Sequence, residues 1–237
     1  MTDELIYEGK AKELFTTEKA DVLRAKYKDD ATALNGGRKE VFAGKGIRNN
    51  NITSLIFRYL KNEGIPSHFI EQISETEQLI RKVDIIPLEV VVRNVLAGSL
   101  AKRLGRDEGE LIDTPIVEFY FKNDALDDPF INDDHVVFLG ACDRKEIETL
   151  KALALQVNGK LQELFEKMGI TLVDFKLEFG RDAAGQILLA DEISPDTCRL
   201  WDKETRERLD KDVFRRNIGN LITVYDEVLS RLEEVMK

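Results

Sequence analysis

A chain of 237 residues has room for one or two domains with a true core, and 43% hydrophobic with 34% charged residues excludes a disordered polypeptide. Its 45 acidic against 35 basic residues leave a formal charge of −10, the wrong sign for a nucleic-acid binder. Two cysteines, Cys142 and Cys198, and two histidines exclude a disulfide framework and a typical zinc site. No apolar run approaches the ~18 residues of a membrane span. Met1 to Tyr7 lacks the basic and apolar regions of a secretory signal. The expectation is a cytoplasmic enzyme without nucleic-acid or membrane partners.

Leu5 to Phe15 reads as strand, tight turn at Gly9, strand. Over Gly44 to Gly64, Ile52, Leu55, Ile56, Tyr59 and Leu60 form one apolar helical face, which Gly64 stops and Pro66 keeps from resuming. Strands follow around His68–Ile73 and Gln78–Val83. Ile86 to Val95 sets Leu88, Val90 and Val92 against Glu89, Val91 and Arg93. A short helix is predicted over Ser99–Leu104, a strand over Ile116–Phe121 and a long amphipathic helix over Lys145–Met168. A hairpin covers Ile170–Phe179 and Gln186–Ile193. A final helix is expected from about Lys211 to Val235, with Phe214, Ile218, Leu221, Tyr225, Val228 and Leu232 as its buried stripe. Strands early and helices late point to α+β, with a seam near Asp84–Pro87. The C-terminal stripe and Phe119–Phe121 are also expected to offer apolar area for self-association.

The hairpin is the most informative piece. Val173, Phe175, Leu177 and Phe179 share one strand face, and Asp174, Lys176 and Glu178 the other. The return strand is apolar until Asp191-Glu192. An even hairpin loop brings Asp191 beside Lys176 and diagonal to Glu178, whereas an odd loop presents Glu192. Two carboxylates facing each other in a cleft repel unless a cation intervenes, and Mg²⁺ takes one or two carboxylates plus substrate phosphates. A lysine between them suits a triphosphate. GKAKELF at 9–15 supplies a close-approach glycine with Lys10 and Lys12, although neither GxxxxGK[ST] nor GxGxxG occurs. In PLEVVVRNVLAGS at 87–99, Arg93 and Ser99 form a candidate phosphate clamp at a helix start. In SPDTCRLWD at 194–202, Asp196 and Arg199 would stand near the hairpin end, and the acid-rich KNDALDDPFIND at 122–133 reads as a turn-forming loop with a possible metal ligand.

GKAKELF, PLEVVVRNVLAGS, KNDALDDP, VDFKLEFG and ADEISPDTCRLWD occur in the order seen in the phosphoribosylaminoimidazole-succinocarboxamide synthase (SAICAR synthetase) family, which the chain resembles from Tyr7 to its last helix. The resemblance implies a two-lobed α+β fold: an antiparallel N-terminal sheet lobe with a flap, residues 1–85, and a larger α+β lobe, residues 86–237, with ATP in the cleft. It implies an ATP-dependent ligase of purine synthesis, joining L-aspartate to carboxyaminoimidazole ribotide with Mg²⁺, and a homodimer. By resemblance, Gly9, Lys10, Ala11 and Lys12 are the flap over the ATP phosphates, and Lys82 to Ile85 the hinge against adenine. Lys176 contacts phosphate; Glu178 and Asp191 are Mg²⁺ ligands, which selects Asp191 over Glu192. Asp128 matches an acid for a second Mg²⁺. Arg93, Ser99 and Arg199, with Asp174 and Asp196 nearby, surround the ribotide, and Glu89 and Arg215 lie on its carboxylate side. Asp174 is also the candidate to take the proton from the aspartate amine. Around Asn35-Gly36-Gly37 some relatives carry an acid that this chain lacks. A small-molecule kinase using the same parts, and a non-catalytic nucleotide-binding scaffold, are the alternatives in that order.

Overall fold

The computed structural model describes residues 4–33 and 38–237, so the Asn35-Gly36-Gly37 segment lies outside the described residues. The N-terminal hairpin is β1 (Leu5–Glu8) and β2 (Lys12–Thr16), followed by β3 (Val22–Tyr27) and a small pair, β4 (Asp30–Ala33) and β5 (Arg38–Val41). Helix α1 (Lys45–Asn62) leads to β6 (Phe69–Gln72) and β7 (Glu77–Arg81). One antiparallel sheet has the order β1-β2-β3-β7-β6. β3, whose buried Leu23, Ala25 and Tyr27 alternate with Arg24 and Lys26, lies at its centre.

Helix α1 starts without a side-chain cap at Gly44. The Asp29 carboxylate does that work from outside, accepting the Gly44 N–H at 3.1 Å and the Gly46 N–H at 2.8 Å. Besides its apolar face, α1 buries Lys45, Asn49, Asn50, Thr53 and Ser54 at 0% exposure. Such polar burial requires partners. Asn50 donates to the Ser74 and Glu75 carbonyls at 3.0 Å each, and Thr53 to the Ile193 carbonyl at 3.2 Å.

The second lobe comprises β8 (Asp84–Ile85), β9 (Leu88–Val95), α2 (Gly98–Leu104), β10 (Leu111–Phe121), a 3₁₀ turn at Asp124–Leu126, β11 (Phe130–Ile131), α3 (Asp133–Phe138), α4 (Arg144–Lys167), β12 (Ile170–Arg181), β13 (Ile187–Ala190), β14 (Cys198–Asp202), α5 (Asp212–Arg215) and α6 (Leu221–Val235). Its sheet runs β11-β10-β9-β12-β13, with β14 and β8 also paired to β12, all antiparallel. Helix α4 follows its prediction closely, opened by an Asp143–Glu146 capping box. The main core joins Ile52, Phe57 and Leu60 of α1 to Val90, Leu177, Leu161 and Val228, thus drawing on both sides of the Asp84–Pro87 seam.

Two expectations are corrected. The continuous C-terminal helix is broken between Arg215 and Leu221: Asn217 adopts φ 55°, and Asn220 caps a new helix by accepting from Ile222 and Thr223. Ile218, placed on the stripe by periodicity, is 59% exposed in that break. The rest of the stripe packs within the chain, and Phe119 is buried as well, while Tyr120 and Phe121 are half-buried.

Candidate active site

Strand β12 pairs with β9 through Asp174–Leu177 and with β13 through Glu178–Arg181. Its polar face therefore looks out where the two lobes meet. Lys176 Nζ stands 2.9 Å from Glu178 Oε1 and 2.9 Å from Glu89 Oε1 on β9. Lys122 Nζ reaches the same Glu178 oxygen at 2.7 Å. From the other lobe, Lys12 Nζ meets Asp191 Oδ1 at 2.5 Å. Burial alone would draw the Lys176 ammonium down, but Glu178, Glu89 and Asp191 outweigh it and hold the proton firmly. Burial would likewise raise Asp191, and Lys12, then Lys176 and Lys122, reverse it and hold the carboxyl far below its ordinary range. Both acids thus act on the same lysines.

How Asp191 comes there is not a matter of strand alternation. Arg181 pairs with Ile187, leaving the five residues 182–186 in the loop, so the register is odd and points to Glu192. β13 ends at Ala190, however, and Asp191 takes the left-handed conformation, φ 58°. That single residue breaks the period-2 rule and turns its carboxylate toward Lys12 and Lys176.

The flap is the β1–β2 turn, closed by the Gly9 N–H donating to the Lys12 carbonyl at 2.8 Å. Lys10 reaches across to Asp124 at 2.7 Å, and the Ala11 carbonyl accepts from the Lys28 N–H. At the hinge, the Lys82 N–H donates to the Asp21 carbonyl, and Ile85, 42% exposed, pairs with Gly180. Gly180 is required by contact: a Cβ there would lie 2.5 Å from Val83 Cγ2. The hinge segment therefore pairs alongside the strand that carries Glu178, with the Val83 side chain packed on Gly180.

At the other end of β12, Arg93 is 3% exposed and fully engaged. It donates to Asp174 at 2.9 Å, Glu118 at 2.7 Å, Tyr120 at 3.0 Å and Ser99 Oγ at 3.1 Å. Arg199 Nη1 bonds both Asp174 oxygens, at 3.0 and 2.9 Å, and its Nε bonds Asp212, which also holds Arg215 at 2.9 Å. Burial would lower the Arg199 guanidinium, and Asp174 and Asp212 more than offset that. An open cleft of about 730 Å³ beside it is lined by Gly98, Ser99, Lys102, Arg199, Arg215 and Arg216. Five cationic side chains on its wall, Lys102, Arg106, Arg199, Arg215 and Arg216, outnumber the three acids Asp107, Glu108 and Asp212, and that balance fits an anionic group.

A family model described as SAICAR synthetase matches residues 5–232. The chain belongs to the SAICAR synthetase family. It is 72% identical over 235 residues to the phosphoribosylaminoimidazole-succinocarboxamide synthase of Listeria innocua, covering 99% of each chain. Among solved structures, the enzyme of that name from Ehrlichia chaffeensis superposes with a TM-score of 0.95 at 46% identity, over 97% of this chain and 98% of that one. A SAICAR synthetase in complex with ADP gives a TM-score of 0.94 at 49% identity, over 98% of each chain.

Most residues expected of a SAICAR synthetase site lie in these two clusters, and two do not join them. Asp196 sits in a separate buried group, bonded by Lys45 at 2.5 Å, Asn49 at 3.0 Å and Tyr225 at 2.5 Å. Asp128, at φ 43°, accepts the Asn123 N–H at 2.7 Å and closes its own loop. Among the described residues no three acids, histidines or cysteines gather tightly enough to hold a metal by themselves. Glu178 and Asp191 nevertheless fit Mg²⁺, because two hard carboxylates already balanced by lysines need only phosphate oxygens and water to complete its shell. Three residues escaped the sequence reading. Lys122 stands in a segment read for its acids, and Glu118 and Tyr120 are adjacent-face residues of β10 that alternation alone marks as exposed. Their signal was pairing with β9, where Glu118 faces Val91 and Tyr120 faces Glu89.

Proposed function

We propose that this chain joins L-aspartate to the carboxylate of 5-amino-1-(5-phosphoribosyl)imidazole-4-carboxylate, consuming ATP and yielding SAICAR, ADP and phosphate, as a cytoplasmic homodimer. The observation that carries the reading is β12, which presents Asp174 to the arginine cluster and Lys176 and Glu178 to the flap on one face of one strand. Exposed Phe130 and Phe138, the latter at 89%, are apolar surface suited to contact with a second copy.

A carboxylate oxygen is a poor leaving group. Transfer of the ATP γ-phosphoryl to a carboxylate oxygen gives an acyl phosphate and ADP; the aspartate amine then attacks the acyl carbon, and phosphate departs with the C–O bond. Lys10 and Lys12 of the flap, with Gly9 and Ala11, close on the triphosphate, and Lys176 absorbs charge that develops during transfer. The stretch from Lys82 to Ile85 lies along the base. Mg²⁺, held by Glu178 and Asp191, would neutralise phosphate oxygens, whereas Asp128, engaged in closing its own loop, is given no ligand role. Arg93, Ser99, Arg199 and Arg215 hold the ribotide, Glu89 its carboxylate side, and Asp174 orients the arginines and stands as acceptor for the amine proton. Asp196 belongs to the separate buried group of Lys45, Asn49 and Tyr225 and has no direct part in this scheme.

A coupled assay of ADP release tests this. Release with ribotide should require L-aspartate and be lost in Glu178→Gln. Release without aspartate would instead make the chain a small-molecule kinase.

A further inference from the structure

One buried acid of the cleft has no part in that scheme. Glu192 follows Asp191, is 4% exposed, and its Oε2 has no hydrogen-bond partner. A carboxylate in such a place needs a compensating charge. Burial, with Asp191 and Asp196 nearby, pushes its carboxyl up; Lys12 is the strongest positive charge opposing this, ahead of Lys45, but Lys12 itself feels Asp191 first and Glu192 next. Two adjacent acids therefore act on one ammonium whose side chain is 12% exposed, and Asp191 alone is hydrogen-bonded to it.

The backbone behind Glu192 is fixed. Its carbonyl accepts from Thr197 Oγ1 at 3.4 Å, the next carbonyl accepts from Thr53, and Asp196 is tied to Lys45 and Tyr225. The backbone at Glu192 is thus anchored by groups other than Asp191. When Asp191 turns its oxygens to a divalent cation, Lys12 loses its hydrogen-bonded partner and faces a new positive charge. A buried ammonium in that situation is strongly destabilised unless another anion receives it.

We propose that Glu192 is a positioning residue that receives Lys12 when Asp191 engages the metal–nucleotide. An ammonium carries three donors, so one on Glu192 leaves two to point at phosphate oxygens. The inference rests on the reading of Asp191 as a metal ligand.

Calorimetric titration of ADP, with and without Mg²⁺, tests it on the unaltered chain, Glu192→Gln, Lys12→Met and the double variant. Mg²⁺ should tighten ADP binding to the unaltered chain. Glu192→Gln should leave Mg²⁺-free affinity within about twofold and lose about tenfold or more with Mg²⁺, and the two substitutions should be non-additive with Mg²⁺ present. Unchanged Mg–ADP affinity in Glu192→Gln, or additive losses, overturns the exchange of partners while leaving Asp191 as ligand. Absence of any Mg²⁺ effect in the unaltered chain removes the metal reading itself, and the proposal with it. A crystal structure of the unaltered chain with Mg–ADP needs no variant: Lys12 Nζ within about 3.5 Å of Glu192 is expected, and Lys12 still on Asp191 alone overturns the proposal.

Discussion

Gly98 and Arg199 are in direct contact, so close that a Cβ at position 98 would stand 2.5 Å from Nη2 and 2.6 Å from Cζ of the guanidinium. Gly98 also sits at φ 55°, where a side chain is strained. Gly98→Ala should displace Arg199 from Asp174, costing about 1–2 kcal/mol of stability. Steady-state kinetics should show KM for the ribotide rising by about tenfold or more with KM for ATP little changed. An equal loss for both substrates would contradict the placement of the ribotide there.

Lys122 and Lys176 share one oxygen of Glu178. Because the Lys122 side chain is 37% exposed, Lys122→Met should change stability by less than about 1 kcal/mol. Aspartate-dependent turnover should nevertheless fall by about 10- to 100-fold, since a cation that balances Glu178 beside the proposed phosphate site is lost. Turnover within twofold of the unaltered chain would remove Lys122 from the site.

The Lys45–Asp196 pair is buried, with side chains 0% and 5% exposed. Removing one partner leaves an uncompensated charge, so Lys45→Met should cost about 3–5 kcal/mol in urea unfolding. Tyr225→Phe removes a single hydrogen bond to the same carboxylate and should cost about 1–3 kcal/mol. A neutral Lys45→Met would mean that Asn49 and Tyr225 suffice for Asp196.

Asp210 is fully buried and accepts the Leu200 and Asp212 N–H groups at 2.8 and 2.7 Å. Burial, with Asp212 beside it, pushes its carboxyl up to about 7. A raised acid is protonated in the folded chain while the unfolded chain has already released its proton, so stability falls as pH rises from the unfolded value toward 7. Asp210→Asn lacks that titration. The stability advantage of the unaltered chain over Asp210→Asn should shrink between pH 5 and pH 8, read by thermal unfolding; a constant gap would show that Asp210 does not titrate in that window.

Much of the site was legible because strands alternate. Asp174, Lys176 and Glu178 could be assigned to one face from spacing alone, and Arg93 and Glu89 likewise on β9. Asp191 was not, because a single left-handed residue overrides loop parity, and only the family resemblance selected it over Glu192. Lys122 was hidden in a loop that looked like solvated acids. The C-terminal helix was overextended because apolar spacing continued through Asn217 and Gly219, although the Asn-Ile-Gly-Asn run is itself a stop and a cap. β14 was not assigned from sequence, since its strand character depends on pairing with β12.

From Asp174 at the arginine cluster to Gly180 under the hinge, β12 advances six residues, about 20 Å at the rise of an extended chain. The strand is in effect a graduated ruler laid under both proposed substrate sites, its marks two residues apart. Inserting or deleting one residue along it would invert every mark beyond that point and send charged side chains inward. A rigid bisubstrate inhibitor, by the same measure, needs a span of that length and no slack.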